Sequence, residues 1–234
     1  GMAMPFVLFP SAVVNSLAVL LLPSIARHQS SGDLSGIRRN LAAAFRYSLY
    51  MGILCVGIFS VFGRRLGTEV FKEPQAGSFI MVLAWLCPFL YLATTAGSVL
   101  NGLGKTHVTF LHNLASLLLR LSFIYWGIPR YGIQALLWGM LAGELLLAFL
   151  HLRSLSRALS FSPDVWESVV KPVFCLAVSL WTGRLFPERL PFLPEESAFF
   201  QTAAHIGIIC IVYGLLLLFF HRKRAPYSSN STVT

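Results

Sequence analysis

The chain has 234 residues, of which 56% are hydrophobic and only 12% charged, with a mean hydropathy of +0.71 and a formal net charge of +9. That balance excludes an ordinary soluble domain, in which about a quarter of the residues are charged. The positive charge does not describe a nucleic-acid-binding face, because the basic residues are scattered over loop ends. It reads instead as positive-inside membrane topology.

A hydrocarbon core of about 30 Å takes about 20 apolar residues per helix, so the chain has room for about seven spans. The expected fold class is therefore an all-α polytopic membrane helix bundle. The first span is expected over residues 4–25 and carries Pro5, Pro10 and Pro23 together with a mid-span Asn15. Pro10 removes a backbone hydrogen bond, which predicts a kink or break near that end of the helix. A polar connector, residues 27–40, leads to a span over 47–63. A loop with Arg64, Arg65, Glu69, Lys72, Glu73 and Pro74 precedes a span over 76–100. The turn Asn101-Gly102-Leu103-Gly104-Lys105 opens a span over 106–128, and Pro129-Arg130-Tyr131-Gly132 turns into the next, over 133–152. The sixth span is expected over 165–185, interrupted near its start by Lys171-Pro172. The seventh covers 198–221 and ends in His221-Arg222-Lys223-Arg224, before a polar tail, residues 225–234, expected to be disordered.

Counting Lys and Arg by loop orients the bundle. One side holds Arg27, Arg38, Arg39, Arg46, Lys105, Arg153, Arg157, Lys171 and the three C-terminal basic residues, against Asp33, Asp164 and Glu167. The other side holds Arg64, Arg65, Lys72, Arg130, Arg184 and Arg189, which share their loops with Glu69, Glu73, Glu188, Glu195 and Glu196. The first side is expected to be cytoplasmic, with the C-terminus inside and Gly1 at the outer face of the plasma membrane. Seven spans beginning outside, with Gly1 preceding Met2 and nothing like a signal peptide, point to a segment of a longer protein.

Only Arg120 and Glu144 are charged well inside the predicted spans. Each alone costs about 2.5–3.5 kcal/mol on an insertion scale, so each should face a partner or water. The tight turn between their helices and the 1.5 Å rise per residue put their Cα atoms at depths differing by roughly 5 Å, within reach of an arginine. They read as a pair pinning the hairpin, or as the lining of a polar cavity that handles substrate or a coupling ion. Gly139 and Gly143 form a GxxxG just before Glu144, a pattern that lets helices approach closely. Asn15, with Pro10 in the same span, is the third cavity candidate, because broken helices with freed backbone groups recur at transporter binding sites.

His112 and His205 lie in spans and are expected to be hydrogen-bonded structural residues. The cysteines Cys55, Cys87, Cys175 and Cys210 occur one per span, with no pair at metal or redox spacing, and read as packing residues. No phosphate-binding glycine loop, nucleophile with its base, metal cluster or cofactor motif is present, so the sequence offers no basis for an enzyme. The sequon Asn230-Ser231-Thr232 falls on the expected cytoplasmic side.

Several blocks resemble a known family. Gly1-Met2-Ala3-Met4-Pro5-Phe6, Phe9-Pro10-Ser11-Ala12 and Leu22-Pro23-Ser24-Ile25 are similar to the eighth span of the stage V sporulation protein B family. That family is the polysaccharide-flippase branch of the multidrug/oligosaccharidyl-lipid/polysaccharide exporters. The turn Val99–Lys105 resembles the family's loop between spans ten and eleven, and Arg120-Leu121 with Tyr125-Trp126-Gly127-Ile128-Pro129-Arg130-Tyr131-Gly132-Ile133 resembles span eleven and its exit turn. The resemblance covers about residues 1–160. It implies a fourteen-span transporter with two six-helix lobes around a central cavity and two extra C-terminal helices. This chain would supply spans eight to fourteen: a C-terminal lobe in residues 1–160, two additional spans in 161–224, and the tail.

The implied function is export or flipping of a lipid-linked oligosaccharide or peptidoglycan precursor, by alternating access, for spore cortex or cell envelope. The implied partners are the lipid bilayer, the lipid-linked saccharide and the missing N-terminal lobe, and no cofactor is implied. The departure is large, because the first lobe and span seven are absent, and no catalytic residue is carried over. A drug or cation antiporter of the same superfamily and a non-transporting scaffold of an envelope-synthesis complex stay open as alternatives.

Overall fold

The computed structural model describes residues 10–70, 72, 74–160, 164–185 and 198–222, and among them every regular element is a helix. The elements are α1 (Ser11–Ser30), α2 (Leu34–Val70), α3 (Pro74–Ala84), α4 (Leu86–Gly102), α5 (Thr106–Tyr131), α6 (Ile133–Leu159), a π-helical turn (Trp166–Val170), α7 (Lys171–Leu185) and α8 (Ala198–Arg222). Pro5, Glu73, Glu188, Arg189, Glu195, Glu196, the basic end from Lys223 onward and the tail of residues 225–234 lie outside the described residues.

Five of these helices are long and apolar enough to cross a bilayer, and α3 with α4 makes a sixth span bent by 48°. The chain is a multi-pass membrane helix bundle, with five or six spans among the described residues where the sequence led to seven. The difference lies in the stretch 165–185, where only the last 15 residues, α7, are α-helical and the five before them are wound as the π turn. Lys171-Pro172 sets that start. Pro172 is tolerated in the first turn of a helix, and the chain before it widens into the π turn, where the Lys171 amide reaches back to the Trp166 carbonyl.

Two boundaries differ from expectation for local reasons. The polar connector is mostly helix: α1 continues to Ser30 and α2 begins at Leu34. Asp33 caps α2, its Oδ1 accepting from the Gly36 amide at 2.9 Å and from the Ser35 hydroxyl at 2.6 Å. The Ser35 hydroxyl, then the Gly36 amide, hold the exposed Asp33 carboxyl below its ordinary value. The third span breaks between Ala84 and Leu86. Pro88 has no amide to give the Ala84 carbonyl and its ring crowds that residue, so the helix bends one turn before the proline. At the other end, α1 starts directly after Pro10, the residues before it lying outside the described ones, and runs on through Pro23.

The bundle is organised around α2 and α4. One core cluster joins Phe59 and Phe62 of α2, Ile80 and Leu83 of α3, and Cys87 and Tyr91 of α4. A second joins Ile25 of α1, Leu41 and Phe45 of α2, Val99 and Leu100 of α4, and Leu155 of α6. Lipid is as apolar as these side chains, so close packing rather than exclusion from water holds them. Gly52 shows how close: a Cβ there would lie 2.7 Å from the Pro88 Cα. In contrast, α5 packs mainly on α6, with a smaller contact to α4, and leaves Phe110, Leu114, Leu118 and Leu121 exposed.

Candidate functional site

The hairpin of α5 and α6 turns at Gly132, whose φ of +56° with ψ of −138° suits glycine alone. Thr109, Asn113, Ser116 and Arg120 follow each other along α5 at spacings of three and four, and so share one face. Glu144 and His151 are two turns apart on α6 and are both buried. The Ser116 hydroxyl donates to the Gly143 carbonyl at 2.9 Å, and Arg120 Nη2 donates to Glu144 Oε1. Arg120 and Glu144 therefore meet across the hairpin. The GxxxG makes the room: a Cβ on Gly143 would fall 2.5 Å from Arg120 Nε, and one on Gly139 2.8 Å from the Phe123 Cβ.

Beyond the ion pair lies a cavity of about 600 Å³ between α1, α4, α5 and α6. Asn15 reaches it from α1, Thr94 and Asn101 from α4, Thr109 and Asn113 from α5, and Glu144 and His151 from α6. Glu144 is only 7% exposed and His151 only 2%. His151 Nδ1 lies 3.1 Å from the Ala93 carbonyl, beside Gly97, which leaves space for the ring. Its Nε2, Glu144 Oε2 and Asn101 Oδ1 are buried with no hydrogen-bond partner. Unmade hydrogen bonds in a buried setting cost about 1–3 kcal/mol each. Three residues that line this space thus each carry a buried polar atom without a partner; Oε2 can accept, and the imidazole can accept or donate according to its tautomer.

Of the residues singled out from sequence, Asn15 and Glu144 come together at this cavity. Arg120 does not line the cavity itself but pairs with Glu144 through Oε1. Gly139 and Gly143 shape the hairpin, and neither Pro10, just before α1, nor Pro23, within it, lines the cavity. His112 packs on His151 with ring centroids 5.1 Å apart and lies 3.5 Å from the Ser154 hydroxyl, while His205 Nδ1 bonds the Gln201 carbonyl of its own helix at 2.8 Å. His151, Asn101, Thr109 and Asn113 were not singled out. The seven-residue spacing from Glu144 to His151 is the signal that would have found the imidazole.

A second charged cluster sits where the π turn meets α2. Glu167 accepts from Arg46 Nη1 and from Lys171 Nζ, each at 3.1 Å, one on each carboxylate oxygen. The Tyr50 hydroxyl donates to the Glu167 carbonyl at 3.4 Å, and Tyr213 of α8 donates to the Tyr50 carbonyl at 3.0 Å. Asp164 caps the turn through the Trp166 and Glu167 amides.

No family model matches the chain, and no solved structure matches it. Two curated proteins of Bacillus subtilis (strain 168) do. Stage V sporulation protein B is 26% identical over 222 residues, which is 94% of this chain and 42% of that protein. Sporulation protein YkvU is 26% identical over 164 residues, 69% of this chain and 37% of that protein. The chain thus spans about two fifths of the length of the curated relatives it matches. In sequence the chain is thus similar to stage V sporulation protein B along 94% of its own length.

Proposed function

We propose that the chain is the C-terminal part of a membrane flippase that moves a lipid-linked oligosaccharide or peptidoglycan precursor across the plasma membrane by alternating access, for spore cortex or cell-envelope synthesis. The observation that carries this reading is the polar cavity between α1, α4, α5 and α6, walled by Asn15, Glu144 and His151, in a chain similar along 94% of its length to a sporulation protein. A membrane bundle has little reason to keep a buried carboxylate and imidazole half-satisfied unless something polar passes or binds there.

In this reading residues 1–160 form one lobe of the transporter and 161–224 an added helix pair; α7 and α8 do pack on each other and on α2. The facing lobe supplies the other wall of the pathway, and α1, whose Val19 and Leu20 are exposed, is the helix that would meet it. The end of the bundle rich in Arg27, Arg38, Arg39, Arg153 and Arg157 is cytoplasmic, as is the C-terminus. Asn15 and Glu144 act as cavity residues, with Arg120 holding the carboxylate in place. No cofactor takes part.

The test is transport by the full-length protein in proteoliposomes, using a fluorescent lipid-linked saccharide and the Glu144→Gln variant. Saccharide translocation that falls in the variant supports the reading. Transport of a cationic dye in place of the saccharide would instead make it an antiporter, and movement of neither would make it a scaffold.

A further inference from the structure

The α5–α6 hairpin carries a second cavity, of about 610 Å³, which shares no residue with the polar one. Leu119, Phe123, Trp126 and Arg130 of α5 and Gln134 and Trp138 of α6 line it. The four α5 residues recur every three or four positions, so the cavity is a groove running roughly 16 Å along the helix. Its floor is where Gly127 meets Ala135, close enough that a Cβ on the glycine would sit 2.7 Å from the Ala135 Cβ.

The groove is graded. Its deep end is leucine and phenylalanine, and its end at the hairpin turn holds Arg130 and Gln134. Arg130 is exposed and enters no ion pair among the described residues. Trp126 and Trp138, 71% and 58% exposed, flank that mouth as indoles do at a membrane–water interface. An apolar slot that lies along a membrane-crossing helix and ends in a guanidinium with no carboxylate partner among the described residues matches one kind of molecule: an apolar chain terminated by an anionic phosphate.

We propose that this groove is a binding site for an anionic glycerophospholipid, one acyl chain lying along Leu119, Phe123 and Trp126 and the headgroup phosphate on Arg130. A zwitterionic headgroup brings its own cation against Arg130, so the site discriminates by charge.

The test uses the purified full chain in mild detergent, with lipid retention read by native mass spectrometry against phosphatidylglycerol and phosphatidylcholine. One basic residue at a lipid headgroup gives a preference of about fivefold for phosphatidylglycerol. Arg130→Gln should erase that preference, Arg130→Lys should keep most of it, and Trp138→Ala should weaken retention of both lipids. The melting midpoint of each variant separates loss of the site from loss of the fold. Equal retention of the two lipids by the unaltered chain overturns the proposal, as does a preference that survives in Arg130→Gln. Displacement of phosphatidylglycerol by a lower concentration of undecaprenyl phosphate overturns it as well, and would make the groove a polyprenyl-phosphate site.

Discussion

Glu144 and Glu167 are both buried glutamates held by arginine, and they are built to opposite ends. Glu167 uses each carboxylate oxygen on a separate cation, Arg46 and Lys171, and its backbone carbonyl takes the Tyr50 hydroxyl. Glu144 gives one oxygen to Arg120 and keeps the other without a partner, and its side chain lines a cavity together with His151 and Asn15. A network whose members are all satisfied ties elements together and leaves nothing over for a guest. A network satisfied on one side only is held in place and still able to bind. Charge inside a membrane bundle is thus ambiguous until its hydrogen bonds are counted.

That contrast can be broken, and the largest effect should come from its hinge. Arg120→Leu leaves Glu144 buried without its cation and should destabilise the bundle by about 2 kcal/mol, less than a fully buried pair because Arg120 keeps some exposure. Thermal unfolding in detergent reads it, and an unchanged midpoint would mean that the pair carries no load. Glu144→Gln keeps an acceptor for Arg120 but removes the free carboxylate oxygen. Translocation should fall about tenfold, equivalent to about 1.4 kcal/mol in the barrier, and full activity would reduce Glu144 to the same tie-bar role as Glu167. Gly143→Ala pushes a methyl into the Arg120 side chain and should cost about 1 kcal/mol of stability, together with part of the transport rate.

Glu167→Gln is the matched control. Its partners are 31% and 24% exposed, so roughly 0.5–1 kcal/mol of stability is at stake, while transport should hold at the level of the unaltered protein. The smallest effect belongs to Asp33. Its carboxyl titrates lower in the folded chain than in the unfolded one, so its contribution is complete above about pH 4 and is lost as pH falls through the lower folded value. Circular dichroism during acid titration should show α2 fraying only in that window, and Asp33→Asn should flatten the response.

Much of the bundle was legible without coordinates because apolar length is a coarse and robust signal. The Arg120–Glu144 contact was legible too, since a tight turn and a fixed rise per residue set the depth of each side chain. Other features depended on single atoms. The break ahead of Pro88 follows from one missing amide, and the continuation of α2 through what reads as a polar connector follows from one capping carboxylate. The wall of the cavity was the least legible. Asn15 and Glu144 are 129 positions apart, and they meet only because α1 and α6 both pack on α4. His151 offered only its seven-residue spacing from Glu144, since a histidine in a helix looks the same in sequence whether its second nitrogen is free or bonded.

The 37 residues of α2 form one unbroken rod of roughly 55 Å, nearly twice the thickness of the hydrocarbon it crosses. It touches α1, α3, α4, α7 and α8 along the way. A tilt of about 10° about its midpoint would sweep each end by roughly 5 Å. Such a rod is a lever that turns a small change of angle among the packed spans into displacement beyond the bilayer surface. The Arg46–Glu167–Lys171 clasp grips it partway along its length, so that clasp would decide whether α7 and α8 ride with the lever or stay behind.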